Sequence, residues 1–141
     1  NVLPLCRELG IAFIPFSPLS RGLITNTIER DQLGEKDFRK THPRFLGKYW
    51  KNNRQLVQAF SDMAVDKKCT PAQLALAWVL AQGDHIIPIP GTKRRKYLEE
   101  NAGALDVKLT AADVAAIEAL LARFPDIGPR YAANLAKLVG K

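Results

Sequence analysis

Cysteine, histidine and methionine are scarce in this sequence: two, two and one in 141 residues. Cys6 and Cys69 lie far apart with no Cys-x-x-Cys, so disulfide scaffolds and zinc fingers are excluded and a reducing, cytoplasmic setting is expected. His42 and His85 have no second ligand at metal spacing; both read as structural, and no metal site is expected. No apolar run approaches the ~20 residues that a membrane-spanning helix requires. Gly-x-Ser-x-Gly, the Walker loop and Gly-x-Gly-x-x-Gly are all missing, which leaves nucleophile-elbow hydrolases, P-loop enzymes and Rossmann modules without support. The opening residues, Asn1-Val2-Leu3-Pro4, carry neither an initiator methionine nor a signal-type stretch, so a longer parent chain is expected.

What is present has the composition of one folded domain, 47% hydrophobic and 25% charged. Lysine and arginine number 21 against 14 acids, a formal charge of +7 that favours anionic partners without identifying them.

Residues 3–9 followed by Gly10 read as the end of a helix with a left-handed glycine cap. The run Ile11–Phe16 is apolar on both faces, the pattern of a strand buried on both sides in a parallel sheet, although Pro15 limits its pairing. Leu23–Arg54 is polar, basic and without clear period, a stretch long enough to be functional rather than a mere connection. Leu56, Phe60, Met63 and Ala64 give residues 54–67 a helical stripe. Thr70-Pro71-x-Gln73 is a capping box that opens the apolar helix 71–81, stopped at Gly83, with Trp78 and the preceding Cys69 read as core. A second strand is expected over 85–90, then a helix reaching Ala104. Thr110 to Asp113 is another capping box, opening a helix whose Val114, Ile117, Leu120 and Leu121 share a face. A last helix is expected from Pro129 to Leu138. Strands separated by helices point to βα units and an α/β class, yet two strands cannot form a sheet covered on both faces.

Both strand ends are suited to anions. Phe16-Ser17-Pro18-Leu19-Ser20-Arg21-Gly22 offers hydroxyls, a fixed turn, an arginine and a glycine; it is either a phosphate cradle or an ordinary Ser-Pro turn. Pro90-Gly91-Thr92 precedes Lys93-Arg94-Arg95-Lys96, expected to fill a first helical turn with Thr92 as N-cap. Four cations there repel one another and the positive end of the helix dipole, an arrangement that an anion would relieve and that otherwise makes a solvated basic patch. Tyr49 and Trp50 either stack on bases or anchor their loop.

The series GIAFIPFSPLSRG, DFRKTHPRF, TPAQLALAWVLAQ, IIPIPGTKRRKYLEENAGAL and LTAADVAAIEAL resembles the C-terminal part of aldo/keto reductases, closest to the bacterial and plant-type branch with a PIPGT motif. The resemblance covers residues 3 to 124. It implies that the whole chain, 1–141, is an incomplete (β/α)8 TIM-type barrel. Its last two strands would lie near 11–16 and 85–90, with a cofactor-covering loop over 23–54 and C-terminal helices over 110–138. It also implies NADPH as cofactor and a small-molecule aldehyde or ketone as hydride acceptor, with no nucleic acid or membrane partner. Position by position, the resemblance places Phe16 against nicotinamide and Ser17, Pro18, Leu19, Arg21 and Gly22 along the pyrophosphate. Arg44, assisted by Arg39, falls in the covering loop. Gly91, Thr92, Lys93 and Arg94 surround the 2′-phosphate, and Tyr97, Glu100 and Asn101 hold the adenine. The family's catalytic Asp, Tyr, Lys and His belong to earlier strands, so no catalytic residue is assigned and the 141 residues alone are expected to be inactive. Two other functions remain open: a basic nucleic-acid-binding module using Arg30–Arg54 and the KRRK turn, and an interaction fragment that needs a complementary half-barrel.

Overall fold

The computed structural model describes residues 2–137. Helices α1 (Val2–Glu8), α2 (Gly47–Asp66), α3 (Pro71–Leu80), α4 (Arg95–Ala102), α5 (Ala111–Ala122) and the short α6 (Ala133–Ala136) carry most of the regular structure. The main core lies where α2, α3 and α5 meet, with Leu56, Phe60 and Ala64 packed on Leu74, Ala75, Ile117 and Leu120. Leu74 and Ile117 are fully buried, each contributing about 1.5–3 kcal/mol through removal from water. A second cluster, Leu23, Ile28, Phe45 and Val57, fastens the long basic segment to the other side of α2.

Local chemistry sets the helix starts as read from sequence. Thr70 and Gln73 close one capping box ahead of α3, and Thr110 and Asp113 close another ahead of α5. Gly10 follows α1 at φ 65°, the left-handed conformation expected of it.

Four expectations need correction. Segments 11–16 and 85–90 do not form doubly buried strands but meet in two isolated parallel bridges, Phe13 to Ile86 and Phe16 to Ile89. Phe13 N–H donates to the His85 carbonyl (2.7 Å) and Ile87 N–H to that of Phe13 (2.9 Å). Pro15, Pro88 and Pro90 have no N–H with which to extend this ladder. Ile86 is buried, but Ile14, Phe16, Ile87 and Ile89, on the opposite face, are 50–57% exposed because no described layer covers them.

The segment read as loop over 23–54 is helical from Gly47 onward. Its first two turns are too polar to show a stripe, and they are held instead by aromatic packing at Tyr49 and Trp50. Upstream, 3₁₀ turns over Ser20–Thr25, Arg30–Gln32, Phe38–Lys40 and Pro43–Phe45 give the segment its shape without a helical period. The KRRK tetrad does not share one helical turn: Arg94 is the N-cap residue of α4, so only Arg95 and Lys96 lie inside it. The Thr92 hydroxyl accepts from Arg94 N–H (3.3 Å) and so forms a turn before the helix rather than its cap. The tail is helical only over Ala133–Ala136, because the residues around Gly128 take no regular structure where they pass Tyr49 and Asn53 of α2; the expected end at Leu138 lies outside the described residues.

Candidate functional site

The bridge between Phe16 and Ile89 brings the two strand ends side by side, so the loops that follow them face a common space. That space is an open basin of about 1010 Å³. Phe16, Ser17, Pro18, Leu19, Arg21 and Gly22 line one side; Gly91, Thr92, Lys93, Arg94, Tyr97, Glu100 and Asn101 line the other. Thirteen of the fifteen residues picked out by sequence thus share one cavity, at the upper limit of the size range of small-molecule sites. Thr25, Thr27, Thr70, Pro71 and Ala72 also line it and were not singled out as site residues. Thr70 is recognisable in the sequence only as a helix cap, and Thr25 and Thr27 lie in no motif.

The first wall is conformationally strained. Ser17, Ser20 and Arg21 have φ of 56°, 50° and 60°, and Gly22 follows at 85°. For non-glycine residues such values cost on the order of 1–3 kcal/mol each. Gly22 also packs closely: a Cβ there would lie 3.2 Å from Ile28 Cδ1. The second wall is exposed and cationic. Lys93 and Arg94 enter no ion pair among the described residues, whereas Arg95 pairs with Glu99 (2.7 Å). Gln73 braces this wall, its Nε2 donating to the Glu100 carbonyl (3.1 Å) while its Oε1 accepts from Thr70 N–H (3.0 Å).

Arg39 and Arg44 do not line the basin. Arg39 forms a 2.6 Å ion pair with Asp37 and reaches the Arg21 carbonyl (3.5 Å), supporting the strained loop from behind. The Arg39 guanidinium holds the Asp37 carboxyl at about 2, below the usual carboxylate range. Arg44 is half-buried beside a second, mainly apolar cavity of about 200 Å³ that also touches Ser20, Phe60 and Trp78. Its Nε donates to the Gly128 carbonyl (3.2 Å) and its Nη1 to Ser20 Oγ (3.4 Å). Burial, then the nearby charges of Arg21 and Arg130, push the Arg44 guanidinium below its ordinary pKa.

The tail crosses this region on a series of polar ties. Fully buried Asn53 donates from Nδ2 to the carbonyls of Arg44 (2.9 Å) and Ile127 (3.0 Å). His42 is buried; its Nδ1 accepts from Arg44 N–H (3.3 Å), which leaves Nε2 to donate to the Arg130 carbonyl (3.1 Å). Burial and the charges of Arg21 and Arg44 lower the His42 pKa, so the ring is neutral. The structural role expected of His42 is therefore observed. Of the two readings of Tyr49 and Trp50, anchoring is the one observed. Trp50 stacks on Phe45 (5.9 Å, 24°), and Gly128 sits so close to the Tyr49 ring that a Cβ would fall 2.8 Å from its Cγ.

The aldo/keto reductase family pattern matches residues 1–122. Over 132 residues the chain is 46% identical to the Schizosaccharomyces pombe protein named Aldo-keto reductase yakc [NADP(+)], covering 93% of this chain and 39% of that one. It is 43% identical over 114 residues to a Glycine max protein named "Probable aldo-keto reductase 1", covering 81% of this chain and 33% of the relative. The chain thus spans between a third and two-fifths of the curated relatives' length. Among solved structures, a glycerol dehydrogenase from Gluconobacter oxydans superposes with a TM-score of 0.80 at 23% identity, over 92% of this chain and 39% of that one. A thermostable aldo-keto reductase in complex with the inhibitor epalrestat superposes with a TM-score of 0.54 at 25% identity, over 84% of this chain and 32% of that one.

Proposed function

Since the chain belongs to the aldo/keto reductase family, we propose that it forms the last two βα units of a (β/α)8 barrel and holds NADPH in the basin between them. The observation that carries this reading is the shared cavity of about 1010 Å³, with a half-exposed aromatic ring at Phe16 and uncompensated cations at Lys93 and Arg94. Those groups fit a dinucleotide with an extra phosphate. Phe16 would lie against the nicotinamide and the turn 17–22 along the pyrophosphate. Thr92, Lys93 and Arg94 would take the 2′-phosphate, and Tyr97, Glu100 and Asn101 the adenine. Bound there, the cofactor would supply a hydride for an aldehyde or ketone.

What the chain itself contributes is binding and orientation. The strained turn fixes one wall without further rearrangement, Gln73 holds the other against α3, and Arg39 stops the turn from relaxing outward. Proton donation would come from a tyrosine, with its Asp, Lys and His partners, on earlier strands of a longer chain, so these 141 residues alone would bind cofactor without reducing carbonyls. The setting would be cytoplasmic; both thiols are free, and no described helix is long and apolar enough to cross a membrane. Against the nucleic-acid reading weigh the packing of half-buried Trp50 on Phe45 and Tyr49 on Gly128, and the carboxylate partners of Arg39 and Arg54.

The test is a fluorescence titration with NADPH and NADH. Lys93→Glu combined with Arg94→Glu should weaken NADPH by roughly ten-fold or more, the scale of a lost charge-assisted contact, and NADH far less. Equal losses for the two cofactors would defeat the 2′-phosphate assignment.

A further inference from the structure

Three arginines gather around the turn from Phe16 to Arg21 without a carboxylate partner among the described residues. Arg130 lies over the Phe16 ring (5.3 Å to its centroid) and Arg21 over that of Tyr131 (5.7 Å). Arg44 spends one N–H on Gly128 and one on Ser20 Oγ. None of the three enters an ion pair among the described residues. The two acids nearest in sequence on these segments are engaged elsewhere, Asp37 with Arg39 and Asp126 with Lys48.

This gathering is imposed by the backbone ties. The Arg130 carbonyl is held by His42, the Gly128 carbonyl by Arg44 and the Ile127 carbonyl by Asn53. Mutual repulsion is therefore built in, and a bound oxyanion would relieve it. Planar guanidinium groups suit a carboxylate especially well, since they can meet both oxygens in one plane.

We propose that Arg130, backed by Arg21 and Arg44, is an oxyanion site beside the Phe16 ring, and that the carbonyl substrate carries a carboxylate that docks there. This rests on the cofactor reading above, which puts the nicotinamide against Phe16 and hence the reacting carbonyl within reach. Two features favour substrate over cofactor phosphate as the occupant. Arg130 lies past residue 122, where the family pattern stops. It also lies over the aromatic ring at the end of the first strand, whereas the exposed cations assigned to cofactor phosphate follow the other strand end.

Malonate, with malonamide as the uncharged control, serves as the probe in calorimetric titrations at fixed ionic strength. Malonate should bind the 141-residue chain, and malonamide should not. Arg130→Met, at an exposed position, should weaken malonate about ten-fold or more while leaving NADPH affinity within about two-fold. Malonate should bind equally well with NADPH present. No malonate binding, binding indifferent to Arg130, or expulsion of malonate by NADPH would each overturn the proposal; the last would assign the arginines to the dinucleotide. Wild-type chain that took up no NADPH would overturn the cofactor reading alone, and Arg130-dependent malonate binding would still uphold the oxyanion site.

Discussion

His42 ties the turn at Arg44 to the tail at Arg130 through a single protonation state. Its Nδ1 must accept from Arg44 N–H while Nε2 donates to the Arg130 carbonyl, and only the neutral ring does both. Burial is the main cause of its lowered pKa, and the charges of Arg21 and Arg44 add to it. In the unfolded chain the ring titrates near an ordinary value of about 6.5. The unfolded state therefore binds the proton first as pH falls. The stabilising contribution of the neutral ring is complete above about pH 6.5 and shrinks below it, at no more than roughly 1.4 kcal/mol per pH unit for one group. Urea unfolding at pH 7.5 and 5.5 should show a stability loss in the wild type that is much smaller in His42→Gln. Parallel losses in both proteins would mean that other groups govern the acid limb. The buried state of His42 was legible in the sequence only as a lack of metal partners; its hydrogen bond to the Arg130 carbonyl joins positions 88 residues apart and leaves no local trace.

Helix starts were readable where one side chain completes them locally. Thr70 with Gln73 and Thr110 with Asp113 are four-residue devices, independent of distant structure, and both form as read. The start of α2 was not readable, because its N-cap Leu46 supplies no side-chain hydrogen bond and its polar first turns are held by packing on Phe45 and on Gly128 of the distant tail. Gln73 shows how a local cap acquires a longer reach: its amide also binds the Glu100 carbonyl, so the α3 cap positions the α4 wall of the basin. Gly103, directly after α4, makes room for it, since a Cβ there would fall 2.5 Å from Gln73 Nε2. Gly103→Ala should therefore displace an amide held by hydrogen bonds at both ends, destabilising the fold by about 1–3 kcal/mol and weakening NADPH through movement of Glu100 and Asn101. Gln73→Ala combined with Gly103→Ala tests the cause. If the clash is responsible, the second substitution adds little to the first; additive losses in a thermal-unfolding cycle would place the effect elsewhere.

Across the whole molecule, the site was more legible than the architecture. The residues following each apolar run converge on one basin because a single parallel register, Phe16 opposite Ile89, suffices to align them. The tail arginine escaped notice because Arg130 belongs to no motif and reaches Phe16 only through tertiary ties. A closed sheet was beyond reach for a different reason: a βα pair supplies strands but not their neighbours. The consequence is the open face of Ile14, Phe16, Ile87 and Ile89, whose exposure is costly in water and invites pairing. The curated relatives are more than twice as long, and a chain of their length has residues available to cover that face. The isolated 141-residue chain should accordingly self-associate in sedimentation velocity as its concentration rises. Ile14→Lys with Ile87→Lys should return it to a monomer, because each places a solvated charge on that face while Ile86 stays buried behind it. In a longer chain whose additional strands cover the face, the same pair should be strongly destabilising, since an unpaired buried charge costs several kcal/mol. A wild-type chain that stayed monomeric, or a longer chain that tolerated both lysines, would show that Ile14 and Ile87 do not contact the rest of a barrel.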